Sequence, residues 1–154
     1  MAGSVTQVAL KTIALEAASI SGLAEYINAD FEKAVQTIAQ CKGRIVVSGI
    51  GKSAIIAQKI VATFNSTGTP SIFLHAADAI HGDLGMVQQE DVVIIISKSG
   101  ESPEIKVLVP LIRNFKNPII AIVGNTGSYL AKNANIILNT TVEQEACPNN
   151  LAPT

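Results

Sequence analysis

The 154 residues suit one domain. At 48% hydrophobic against 15% charged, they carry more apolar side chain than a small monomeric core uses, so an interface between copies is expected. A net charge of −1 without a basic run, and 4% aromatic residues, offer neither an electrostatic footprint for nucleic acid nor a stacking platform.

The first residues, Met1-Ala2-Gly3-Ser4, lack the charged and apolar regions of an export signal. Residues 1–42 read as two leading helices. Val8, Ile13, Leu15, Ile20, Leu23 and Ile27 make a loose stripe broken near Ser21-Gly22. Asn28-Ala29-Asp30 supplies a break with Asp30 as N-cap, and a second helix from Phe31 to about Gln40 sets Phe31, Val35 and Ile38 on one side. Such a hairpin ahead of an α/β domain is a natural surface for a second subunit. Cys41 and Cys147 have no metal-ligand spacing and read as reduced thiols of a cytoplasmic protein.

Strands and helices alternate from Arg44 onward. The strands are Arg44 to Ser48, Ser71 to Leu74, Val92 to Ile96, Pro118 to Val123, and one near Ile136-Ile137-Leu138. The longest apolar runs, such as Val92 to Ile96, are far too short to span a bilayer. Between the third and fourth strands, Ser102 reads as an N-cap and Pro103 as the first helical residue. Ile105, Leu108, Val109, Ile112 and Phe115 then mark one buried face. This alternation predicts a single α/β domain over 1–154, a five-stranded parallel sheet with helices on both faces. No closing element is expected after Asn139.

Ser48-Gly49-Ile50-Gly51-Lys52-Ser53 turns a β-branched strand through glycines into a helix, an arrangement that aims backbone N–H groups and the helix dipole at an anion. Val46 stands where a P-loop needs its first glycine, so that motif is not satisfied. Gly49-x-Gly51-x-x-Ala54 fits the relaxed dinucleotide fingerprint. However, Asp78 comes a few residues late for the ribose acid. A bare strand–helix turn without ligand is the bland alternative. A second hydroxyl-rich loop, Ser97-Lys98-Ser99-Gly100-Glu101-Ser102, follows the third strand. In the flavodoxin-like order 2-1-3-4-5 the first and third strands are neighbours at the switch point, whereas a dinucleotide sheet of order 3-2-1-4-5 separates them. Ser48, Gly49, Gly51 and Ser53 would then face Ser97, Ser99, Gly100 and Ser102 around a phosphomonoester.

Five motifs in order carry a resemblance: Ser48 to Ser53, Ser66-Thr67-Gly68-Thr69-Pro70, His81-Gly82-Asp83-Leu84-Gly85, Ser97-x-Ser99-Gly100-Glu101, and Glu145-Ala146-Cys147-Pro148. Over residues 40–154 the chain resembles the sugar isomerase (SIS) domain of arabinose 5-phosphate isomerases. The resemblance implies interconversion of D-arabinose 5-phosphate and D-ribulose 5-phosphate, feeding Kdo synthesis for lipopolysaccharide or capsule. It also implies a cytoplasmic homotetramer, no cofactor and no metal. The family's two CBS modules are absent from these residues, and its continuation past Ala152-Pro153-Thr154 brings an apolar helix and a further histidine. A non-catalytic regulator binding a sugar phosphate or CMP-Kdo is the alternative.

By the same resemblance Lys52, His81, Glu104 and Glu145 match positions where the family keeps functional residues. Each has a second reading. Lys52 is a role on the reacting oxygens or a phosphate counter-charge; His81 is an active-site group or a partner of Asp83. Glu104 is catalytic or simply what a helix dipole selects, and Glu145 without the resemblance is a solvated surface acid. The resemblance is incomplete at His75-Ala76-Ala77-Asp78, which departs from the family's usual His-Pro-x-Glu, and at Ala54, where glycine is usual.

Overall fold

Five short runs, β-branched except for the second, form five strands, β1 (Ile45–Gly49), β2 (Ser71–His75), β3 (Val92–Ser97), β4 (Ile119–Val123) and β5 (Ile136–Asn139). A computed structural model describes them within residues 4–147 and 149. All neighbours pair parallel, in the order β2-β1-β3-β4-β5. The helices are α1 (Val5–Gly22), α2 (Ala29–Ala39), α3 (Lys52–Ser66), α4 (Ala76–Ala79), α5 (Pro103–Asn114) and α6 (Tyr129–Asn133).

The sheet is apolar on both faces because it is covered on both. Strand alternation sends Val46, Val93, Ile95 and Ala121 to one side, where they meet Ile105, Leu108 and Ile112 of α5 and Leu130 of α6. It sends Val47, Ile94 and Ile120 to the other, against Ala34 of α2 and Ala57 of α3. Two cores result, one per face.

In α5 the spacing i, i+3, i+4, i+7 is realised: Ile105, Leu108, Val109 and Ile112 are fully buried. Phe115 is not. It is the C-cap, past the last turn, and stays exposed. The leading helices also differ from expectation. Asn28, not Asp30, is the N-cap of α2: its backbone is extended and its side-chain oxygen accepts from Asp30 N and Phe31 N at 2.9 and 3.3 Å. Asp30 lies inside the first turn, where a negative charge suits the dipole, and its carboxylate accepts from Ile137 N on β5. That docking turns Ala34 and Ile38 inward and leaves Phe31 and Val35 exposed. Helix α1 buries no residue at all.

The N-terminal edge of the sheet is tied by one carboxylate. Buried Asp91 accepts from Arg44 N (2.7 Å), Gln88 N (2.8 Å) and the Arg44 guanidinium (3.1 Å). Asn117 bridges the same corner, its Nδ2 donating to the Gln88 and Asp91 carbonyls. The carboxyl edge is left to loops, and it is there that doubly wound sheets bind ligands.

Candidate functional site

Gly49 and Ile96 are register partners, so the loops that follow β1 and β3 leave the sheet side by side. Gly51 is the N-cap of α3, with φ +58° and ψ −128°, a conformation glycine alone adopts without strain. Lacking a side chain, it places no cap over the first N–H groups of α3. Lys52 and Ser53 follow as the first helical residues, Lys52 exposed and Ser53 half-buried.

The β3 loop is organised by its own serines. Ser97 Oγ accepts from Gly100 N at 3.1 Å and Ser99 Oγ from Glu101 N at 3.3 Å. A hydroxyl that accepts still has a proton to donate. Ser102 stands at the N-cap of α5 but makes no capping bond, in contrast to Ser128, whose hydroxyl accepts from Ala131 N at the start of α6. With Pro103 at the first helical position, the N–H groups of Glu104 and Ile105 head the helix without a side-chain cap. Ser48 Oγ and Ser102 Oγ are buried and have no hydrogen-bond partner among the described residues, and a buried hydroxyl left unpaired costs roughly 1–3 kcal/mol.

The sequence-derived residues fall into two groups. Alternation along β1 and β3 puts Ser48 and Ser97 on the α5 side of the sheet, with Ser99, Gly100, Ser102 and half-buried Glu104 on the loop and helix that follow. Gly49 is buried beneath the first turn of α3, its Cα facing the Ser53 carbonyl. Lys52 and Ser53 instead line a cavity of about 420 Å³ on the α3 side, with Ile55, Ile56, Ile96, Ile122, Lys98 and Thr140. Glu145 joins this second group through an ion pair with Lys98. It is not a solvated acid: its side chain is 15% exposed. His81 lies on the connection from β2 to β3, exposed, with no side-chain bond to Asp83 among the described residues. Pro148, the last residue of the fifth motif, lies outside the described residues.

Lys98 and Thr140 escaped the sequence reading. The signal for Lys98 was present, since alternation past Ile96 puts residue 98 on the face opposite Ser97. Thr140 offered none, because its place depends on how the chain leaves β5. For Glu101, the hydrogen bond to Lys106, then the Tyr129 N–H and the charges of Lys106 and Lys132, hold the carboxyl below its ordinary 4.5. Among the described residues no group of three or more His, Cys, Asp or Glu side chains is placed to hold a metal. No described helix is long and apolar enough to cross a membrane.

A doubly wound parallel sheet whose adjacent β1 and β3 both lead into helices without side-chain caps, beside serine hydroxyls, defines an α/β domain of the class that binds ligands at the carboxyl edge. The SIS domain family model matches residues 37–154, and the chain belongs to that family. A probable arabinose 5-phosphate isomerase of Haemophilus influenzae is 47% identical over 148 residues, covering 96% of this chain and 44% of that protein. The arabinose 5-phosphate isomerase KpsF of Escherichia coli O6:H1 is 48% identical over 145 residues, 94% of this chain and 44% of that protein. The chain therefore spans less than half the length of these curated relatives. Among solved structures, an Escherichia coli CFT073 protein in complex with arabinose 5-phosphate superposes with a TM-score of 0.91 at 36% identity, covering 99% of this chain and 82% of that one.

Proposed function

We propose that the chain is the catalytic domain of an arabinose 5-phosphate isomerase, interconverting D-arabinose 5-phosphate and D-ribulose 5-phosphate in the supply of Kdo. One observation carries the reading. Among the described residues the buried hydroxyls of Ser48, near the carboxyl end of β1, and Ser102, at the N-cap of α5 after the adjacent β3, have no hydrogen-bond partner, and two helices without side-chain caps begin at that edge. A phosphomonoester, with three oxygens to satisfy, fits that donor set. The relatives' names supply the sugar.

In this reading the phosphoryl group lies among Ser48, Ser97, Ser99, Ser102 and the N–H groups of α5, with Gly49, Gly51 and Gly100 shaping the loops. The sugar's carbonyl end reaches across the sheet edge toward Lys52. Isomerisation removes the proton from C2 of the aldose and returns one to C1, while O2 loses a proton and O1 gains one. The substrate's own atoms balance the change. A positioned base contributes about 10²–10⁴-fold, and positive charge beside the enediolate oxygens supplies electrostatic stabilisation. Lys52 suits the second task. Glu104, at the head of α5, and Glu145, held by Lys98 beside the cavity, suit the first, with His81 as a further proton carrier.

The same reading makes the domain a cytoplasmic homo-oligomer, a tetramer by family likeness. Helix α1 supports it: Leu10, Ile13 and Ile20 are 63%, 63% and 70% exposed on a helix with only Lys11 and Glu16 charged. A helix apolar on several sides belongs in an interior. Incubating the 154-residue chain with D-arabinose 5-phosphate in deuterium oxide tests the function. Ribulose 5-phosphate bearing deuterium at C1 is expected. Binding without turnover or exchange would overturn the enzyme in favour of a sugar-phosphate regulator.

A further inference from the structure

Glu101 has no part in the chemistry above, and its charge sits where a phosphate site is poorly served by one. It follows Gly100 directly and precedes the N-cap of α5, so its carboxylate shares a loop with the serines proposed to hold a dianion. Like charges at such range repel. Two contacts explain its presence. Oε1 accepts from Tyr129 N, the first residue of α6, at 2.6 Å, and Oε2 pairs with Lys106 Nζ at 2.8 Å, one turn into α5.

These contacts reinforce a seam in the backbone. Gly124 N donates to the Lys98 carbonyl at 3.0 Å, and Leu130 N donates to the Gly100 carbonyl at 3.1 Å. Gly100 has φ +64°, and a Cβ there would come within 2.1 Å of Ser128 Oγ. The β3 loop is thus pressed onto the connection from β4 to α6. Among the described residues Glu101 is the one side-chain hydrogen bond joining the two.

We propose that Glu101 is a positioning residue of the phosphate site, anchoring the Ser97 to Ser102 loop to the start of α6, while Lys106 cancels its charge so that the ligand is not repelled. The proposal rests on the sugar-phosphate reading of that loop. Geometry and charge make separable demands, since glutamine keeps the acceptor oxygen and loses the charge.

Titration calorimetry with D-arabinose 5-phosphate on the chain and four variants tests it. Glu101→Ala should raise Kd about tenfold, the effect of one charge-assisted hydrogen bond, and raise KM with kcat unchanged. Glu101→Gln should stay within about threefold of the parent, since the acceptor survives. Lys106→Ala should weaken binding at about 20 mM salt, and its ratio to the parent should shrink at about 0.5 M as the exposed carboxylate is screened. Adding Glu101→Gln to Lys106→Ala should restore affinity. A brace that mattered only for folding would move melting temperature without this salt-dependent rescue. Parent-like affinity in Glu101→Ala, or a Lys106→Ala defect indifferent to salt, overturns the proposal. Failure of the parent itself to bind removes the phosphate reading, and the proposal falls with it.

Discussion

Ser97 and Ser99 each spend an acceptor on the loop and keep a proton that can still be donated. Replacing both with alanine removes two donors to a charged group, each contributing roughly 1.5–3 kcal/mol, so affinity for the sugar phosphate should fall by about 10²-fold or more. Calorimetric titration measures it. Glu104→Gln keeps the size and hydrogen-bonding capacity of the side chain but cannot take up a proton. In the isomerase assay kcat should drop by about 10²–10⁴-fold with Kd little changed; full activity would reassign Glu104 to serving the dipole of α5. Glu101 carries a pH signature. Its folded pKa is depressed, so its contribution is complete above the ordinary 4.5 and is lost as pH falls through the lowered value. Thermal melts of the parent and of Glu101→Gln should therefore converge at acid pH and separate above it.

Among the elements, β1 and β3 do opposite work at their two ends. At the carboxyl ends they lead into hydroxyl-bearing loops and helices that start without a side-chain cap. At the amino ends Asp91 closes the same two strands, accepting two backbone N–H groups and a guanidinium while only 1% exposed. Asp91→Ala would orphan those donors, and a loss of roughly 3 kcal/mol in urea unfolding is expected. The folded fraction should still bind ligand normally, because the substitution lies at the far edge of the sheet from the loops. Conversely, the loop serines should affect ligand affinity far more than stability. The connection from β2 to β3 obeys neither pattern. It carries only the single turn of α4 and a 3₁₀ turn at Asp83–Met86, which leaves His81 on an exposed stretch between them.

For the whole molecule the leading helix is decisive. A core on each face of the sheet is complete without α1, which buries nothing in the single chain. On the proposed homo-oligomer, Leu10→Glu together with Ile13→Glu should therefore give smaller species in sedimentation velocity. Exposed positions away from the core usually move stability by no more than about 0.5 kcal/mol, so the domain should remain folded. An unchanged sedimentation coefficient would remove α1 from the interface.

Periodicity alone determined the strands, the order of elements and the buried face of α5 up to Ile112, because a side chain's inward or outward direction repeats with the backbone. Glycine and hydroxyl patterning likewise placed two anion-seeking turns after β1 and β3. The N-cap of α2 and the exposure of Phe31 and Val35 escaped it, since docking on β5 chooses which side of that helix turns inward. Tertiary structure alone decided that Lys52 and Ser53 line the cavity on the α3 side, that Lys98 holds Glu145, and that Glu101 reaches α6. Those are long-range meetings fixed by packing, which no local spacing records.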